Sequence, residues 1–112
     1  AWMGFNYLRI RRAAKIVDNE EFEALIRTGQ LIDLRDPAEF HRKHILGARN
    51  IPSSQLKTSL AAFRKDKPVL LYENQRAQRV TNAALYLKKQ GFSEIYILSY
   101  GLDSWKGKVK TN

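Results

Sequence analysis

Cysteine is absent from all 112 residues. That excludes disulfides, thiolate metal sites and any reaction in which this chain supplies a thiol nucleophile. Histidine is nearly absent too: His41 and His44 are the only two, so no histidine-built metal site is expected. No apolar run reaches the roughly 20 residues that a membrane-crossing helix needs. No internal repeat and no low-complexity segment is present. What remains is 44% hydrophobic and 11% aromatic residues, in a chain long enough for one core and too short for two. The net charge is +9, with the basic residues spread rather than blocked, which reads as a solvated basic surface. Nucleic acid is the least expected partner, because no RNA-reading motif accompanies the charge.

One stretch organises the rest, Val69-Leu70-Leu71-Tyr72-Glu73-Asn74-Gln75-Arg76-Ala77-Gln78-Arg79. An apolar run stops at a carboxylate, and a polar loop with two arginines follows. Val80, Ala83, Ala84 and Leu87 then recur at i, i+3, i+4 and i+7, one face of a helix. The pattern predicts a buried strand, a tight loop and a helix. Ligands of open α/β sheets bind beyond the carboxyl ends of the strands, where loop N–H groups and a helix dipole favour an anion. A small oxyanion is therefore the ligand this loop suits; Arg76 and Arg79 are expected first as surface residues or partners of Glu73, and in the alternative as the side chains that hold such an anion. The loop contains no cysteine, serine or threonine.

The chain in order supports an alternation of strands and helices. Ile16-Val17 makes a short strand. Asp18 caps a helix with Glu21 in capping-box position, and Gly29 ends it. Leu31 to Leu34 is a strand interrupted by Asp33. Asp36-Pro37-Ala38-Glu39 starts a short helix. Ala48 to Ile51 is extended. Ser53 or Ser54 is expected to cap a helix through Leu56, Leu60, Ala61 and Phe63. After the long helix, capped by Gly91, Ile95 to Leu98 is a buried strand, and Gly101 opens a short final helix containing Trp105. Residues 108–112 read as a frayed polar tail. Short apolar strands alternating with helices predict an α/β fold of three layers, a mostly parallel sheet covered on both faces. Trp105 and Phe92 are expected in the core.

Five pieces, in order, resemble the rhodanese-like domain family. Leu31 to Phe40 is similar to its Asp-Val-Arg strand and the acidic-aromatic pair after it. His44-Ile-Leu-Gly-Ala-Arg-Asn-Ile-Pro52 is close to its His-Ile-x-Gly-Ala-x-Asn-Ile-Pro segment. Lys67 to Tyr72 looks like the strand before its active-site loop. Gly91-Phe92, and Leu98 with Gly101 and Trp105, resemble its closing motif. The resemblance spans residues 16–107, between a basic arm, 1–15, and the tail, 108–112. It implies a three-layer α/β/α domain and a persulfide-carrying cysteine straight after the central strand.

That position is Glu73. If the helix is the anchor instead, the position is Asn74. Glu73 to Arg79 is seven residues, one more than the sulfurtransferase loop and equal to the Cys-x5-Arg pattern of phosphatases of this fold. Lys43 and Tyr100 stand where family members carry glycine. A carboxylate cannot hold a sulfane sulfur. The expected function is a non-catalytic binding or regulatory module, needing no cofactor. The alternative is a sulfurtransferase or phosphatase-like enzyme using Glu73 to Arg79 in an unorthodox way, with Asp33 and Asp36 as the carboxylates that topology lets approach. Glu73 either fills the anion site itself or points to solvent. Asp33, Arg35 and His44 are expected at the pocket, the first two as an ion pair and His44 as a turn-fixing residue.

The arm carries Trp2, Phe5 and Tyr7 and then Arg9, Arg11, Arg12 and Lys15. Aromatic residues followed by a basic cluster resemble the cytoplasmic end of a membrane anchor. The expectation is therefore a cytoplasmic protein, in its stronger form tethered at an anionic membrane surface through these four cations. A protein partner is expected, of unspecified identity.

Overall fold

The computed structural model describes residues 14–75 and 78–111. A five-stranded parallel sheet forms the middle layer, in the order β1-β6-β5-β2-β4. The strands are β1 (Lys15–Val17), β2 (Gln30–Asp33), β4 (Arg49–Asn50), β5 (Val69–Tyr72) and β6 (Ile95–Leu98). Helix α1 (Asn19–Ile26) covers one face and α3 (Gln78–Lys89) the other. The side-chain period of two decides which residue meets which helix. Val69, Leu71, Ile95 and Ile97 pack toward Val80, Ala83, Ala84 and Leu87 of α3. Leu70, Tyr72 and Leu98 pack toward Phe22 of α1, with Trp105 partly buried beside them. All four β5 residues are buried, which is why the sequence there is an unbroken apolar run.

The caps follow the sequence. Asp18 accepts the Glu21 N–H at 2.9 Å, and Gly91 closes the long helix with φ of 97°. Three expectations fail. Residues 53–63 do not form a helix but two 3₁₀ turns, Ser53–Gln55 and Leu60–Ala62. Pro52 sets the first turn, and anchoring Ile51, Leu56 and Phe63 in the α3-side core takes precedence over helical periodicity. The closing helix is likewise a 3₁₀ turn, Leu102–Ser104, ending at Trp105. The tail is not frayed: β7 (Val109–Thr111) pairs antiparallel with β3 (Lys43–Ile45), which follows helix α2 (Pro37–Arg42) directly. β7 is exposed on all three residues, so no buried face marked it; β-branched Val109 and Thr111 and the open edge of β3 are what form it.

Arg9, Arg11 and Arg12 lie outside the described residues, and Lys15 is an exposed residue of β1. Among the described residues no helix is long and apolar enough to cross a membrane.

Candidate functional site

Parallel pairing sets Asp33, the last residue of β2, opposite Tyr72, the last of β5. The chain leaving each strand therefore enters the same space at the carboxyl edge of the sheet. Glu73 follows β5 and is 6% exposed. Its Oε2 accepts the N–H of Val80 at 2.8 Å, in the first turn of α3. Such N–H groups have no partner inside their own helix, and the helix dipole adds positive charge around them. The Arg79 guanidinium lies beside the same carboxylate, Nε to Oε1 3.9 Å. Glu73 does not point to solvent: its side chain turns back toward the first turn of α3. Arg76 and Ala77 lie outside the described residues.

Asn74 is held from both sides. Its Nδ2 donates to Glu39 Oε2 at 2.8 Å, and its Oδ1 accepts from Arg35 at 3.1 Å. Arg35 in turn grips Asp33 at 2.9 Å and donates to the Lys43 carbonyl, so the buried ion pair expected of Asp33 and Arg35 is present. Burial opposes the Arg35 charge; the Asp33 carboxylate outweighs it and holds the guanidinium above its ordinary range. The Tyr72 hydroxyl donates to the same carboxylate and accepts from the Ile45 N–H at 3.0 Å. Burial first, then Asp33, raises the Tyr72 phenol above its ordinary range. Asn50 closes the floor by donating to the Asp33 and Arg35 carbonyls.

The closing motif clamps the loop from above. Leu102 N–H donates to the Glu73 carbonyl at 2.8 Å and Asp103 N–H to the Asn74 carbonyl at 3.0 Å. Gly101 reaches them through φ of 69°. Exposed Gln75 touches Asp103 weakly, at 3.4 Å. Gln78 bonds Asn82 along α3 at 2.7 Å.

A small cleft of about 260 Å³ opens over this network, with Arg35, Glu39, Arg42, Asn74 and Asp103 in its wall. Asp33 and His44 do not line it. Asp33 is fully buried and acts through Arg35. His44 stacks on Phe40 at 3.8 Å, with its Nδ1 2.7 Å from the Phe40 carbonyl, so its work is to join α2 to β3. Asp36 is exposed and does not approach Glu73 through any described contact. The residue that sequence reasoning missed is Glu39. Its Oε1 is 3.8 Å from Arg79, so Arg79 straddles Glu39 and Glu73. The Asp36-Pro-Ala-Glu39 pattern hid it, since a glutamate three residues into a helix reads as a cap. Only the pairing of β2 beside β5 would have revealed its second task.

Glu39 carries a pH dependence. The Asn74 amide, then the Asp36 N–H and the arginines, outweigh burial and hold its carboxyl below the ordinary range. Its contribution is fully present above the unfolded value of about 4.3 and is lost as pH falls through the lower folded value. The stability gap between wild type and Glu39→Gln, set by urea unfolding, is expected to be under about 1 kcal/mol at neutral pH and to shrink below pH 4. A gap that widens on acidification would contradict this arrangement.

Among the described residues no cluster of acidic or histidine side chains is placed to hold a metal.

The chain matches the family model "Rhodanese-like domain" over residues 18–108. It is 49% identical over 109 residues to the uncharacterized protein YqhL of Bacillus subtilis, covering 97% of this chain and 86% of that protein. It is 36% identical over 95 residues to the thiosulfate sulfurtransferase GlpE of Stutzerimonas stutzeri, covering 82% of this chain and 84% of that one. A crystal structure of a rhodanese-like domain protein from Staphylococcus aureus superposes with a TM-score of 0.77 at 19% identity, over 88% of this chain and 98% of that one. With its parallel sheet, its loop at the carboxyl edge and its Gly101 clamp, the chain belongs to the rhodanese-like domain family.

Proposed function

We propose that this domain is a non-catalytic rhodanese-like module whose anion loop is occupied by its own Glu73. The observation that carries the reading is the 2.8 Å bond from the Val80 N–H to Glu73 Oε2. An anion-binding loop binds by offering unpaired N–H groups to a ligand. Here a side chain of the loop takes one of them, and a tethered carboxylate competes at an effective concentration that free anions reach only when concentrated. The absence of any cysteine in the sequence removes the persulfide route as well. Such a domain works by binding, and a protein partner is the expected one. Its proposed place is the cytoplasmic side of a membrane, an assignment that rests on Arg9, Arg11, Arg12 and Lys15.

Incubation with thiosulfate and cyanide tests this reading. Thiocyanate is expected to form no faster than without protein. Production above that control, lost in Glu73→Ala, would replace the reading with an enzyme that uses the carboxylate.

A further inference from the structure

A second cleft, of about 290 Å³, lies between the 3₁₀ turn at Ser53–Gln55 and the first two turns of α3. Buried Leu56 and Ala83 form its floor, and the half-buried Tyr86 ring one wall. Its polar wall holds Ser53, Ser54, Lys57 and Arg79, together with the amides of Gln78 and Asn82. Among the described residues two cations line it and no carboxylate does. Lys57 has no ion pair among the described residues; its Nζ sits 5.6 Å from the Tyr86 ring centroid. Arg79 leans on Glu39 and Glu73 at 3.8 and 3.9 Å, beyond hydrogen-bond length, so its N–H groups are not consumed there.

We infer that this cleft binds a small phosphate or sulfate monoester with an apolar or aromatic substituent. The oxyanion would lie between Lys57 and Arg79, within reach of the serine hydroxyls, and the substituent against Leu56, Ala83 and Tyr86. Charge selects the head group, since two cations without a lining acid cost least when an anion sits between them. The apolar floor selects the tail, and the volume, at the low end for ligand pockets, limits its size. The cleft shares Arg79 with the loop held by Glu73, and differs from it in Lys57, the serines and the apolar floor.

Phenyl phosphate titrated against the amide NMR spectrum of the whole chain tests it. Saturable shifts are expected at Ser53 to Lys57, Asn82 and Tyr86, with affinity in the millimolar range or tighter. Lys57→Gln, an exposed substitution that leaves the core intact, is expected to weaken binding about tenfold. Inorganic phosphate and phenol should each bind less well than the ester. No saturation, or binding indifferent to both Lys57→Gln and Arg79→Gln, would overturn the inference. So would shifts confined to Asn74 and Gln75, which would place the ester in the loop instead.

Discussion

Asp33→Ala is expected to cost about 3–5 kcal/mol of folding stability, the range for removing one member of a buried ion pair. Asp33 is fully buried and carries more than the pair. Its carboxylate accepts from the Arg35 backbone N–H at 2.9 Å, from Arg35 Nε at 3.1 Å and from Arg35 Nη2 at 2.9 Å, and it receives the Tyr72 hydroxyl. Removing it leaves the Arg35 charge, 4% exposed, without a carboxylate partner, and frees the Tyr72 proton. A domain of this size has only about 5–15 kcal/mol to lose. Urea unfolding measures the effect, and Arg35→Ala should be strongly sub-additive with it, because each change removes the same interaction. A loss below about 1 kcal/mol would show that the pair is dispensable.

Gly101→Ala comes next, at about 2–5 kcal/mol. Two effects add. The backbone there, φ 69° and ψ −167°, falls in a region that side-chain-bearing residues scarcely enter. A Cβ would also run into the Asn74 carbonyl and stand 2.6 Å from the Glu73 carbonyl oxygen. Both are backbone atoms that Leu102 and Asp103 hold by hydrogen bonds, so they cannot move aside without breaking the clamp. The damage should be read locally as well as globally. Amide exchange at Leu102 and Asp103 should accelerate more than at the centre of β5. Stability within about 0.5 kcal/mol of wild type would mean that the closing motif does not fix the loop.

What the sequence showed and hid divides along physical lines. The period of Val80, Ala83, Ala84 and Leu87 was legible because burial on one helical face demands it, and all four are buried. β5 was legible because a strand covered on both faces must be apolar throughout. Asp33 and Arg35 were legible as a pair from the family resemblance. β7 was not, because an exposed strand held by backbone bonds leaves no hydrophobic pattern. The turns after Pro52 misled because Leu56, Leu60 and Phe63 satisfy a helical spacing while serving as separate anchors for a loop. Glu39 escaped because its partners, Asn74 and Arg79, are adjacent only once the strand order is known. The side-chain direction of Glu73 could not be read at all. A carboxylate after a strand suits solvent and suits a helix N-terminus, and only the turn geometry chooses.

That direction is the central claim, and anion titration tests it most directly. Sulfate and thiosulfate would be titrated against the amide NMR signals of Asn74, Gln75 and Gln78 to Val80 in wild type and in Glu73→Ala. The wild type should show no saturable response at these amides through the millimolar range, because Glu73 already satisfies the Val80 N–H. Glu73→Ala should respond, with the Val80 amide shifting most. Equal binding by the two proteins, or binding by the wild type alone, would contradict a loop filled by its own carboxylate and would return the site to the anion-binding chemistry of its family.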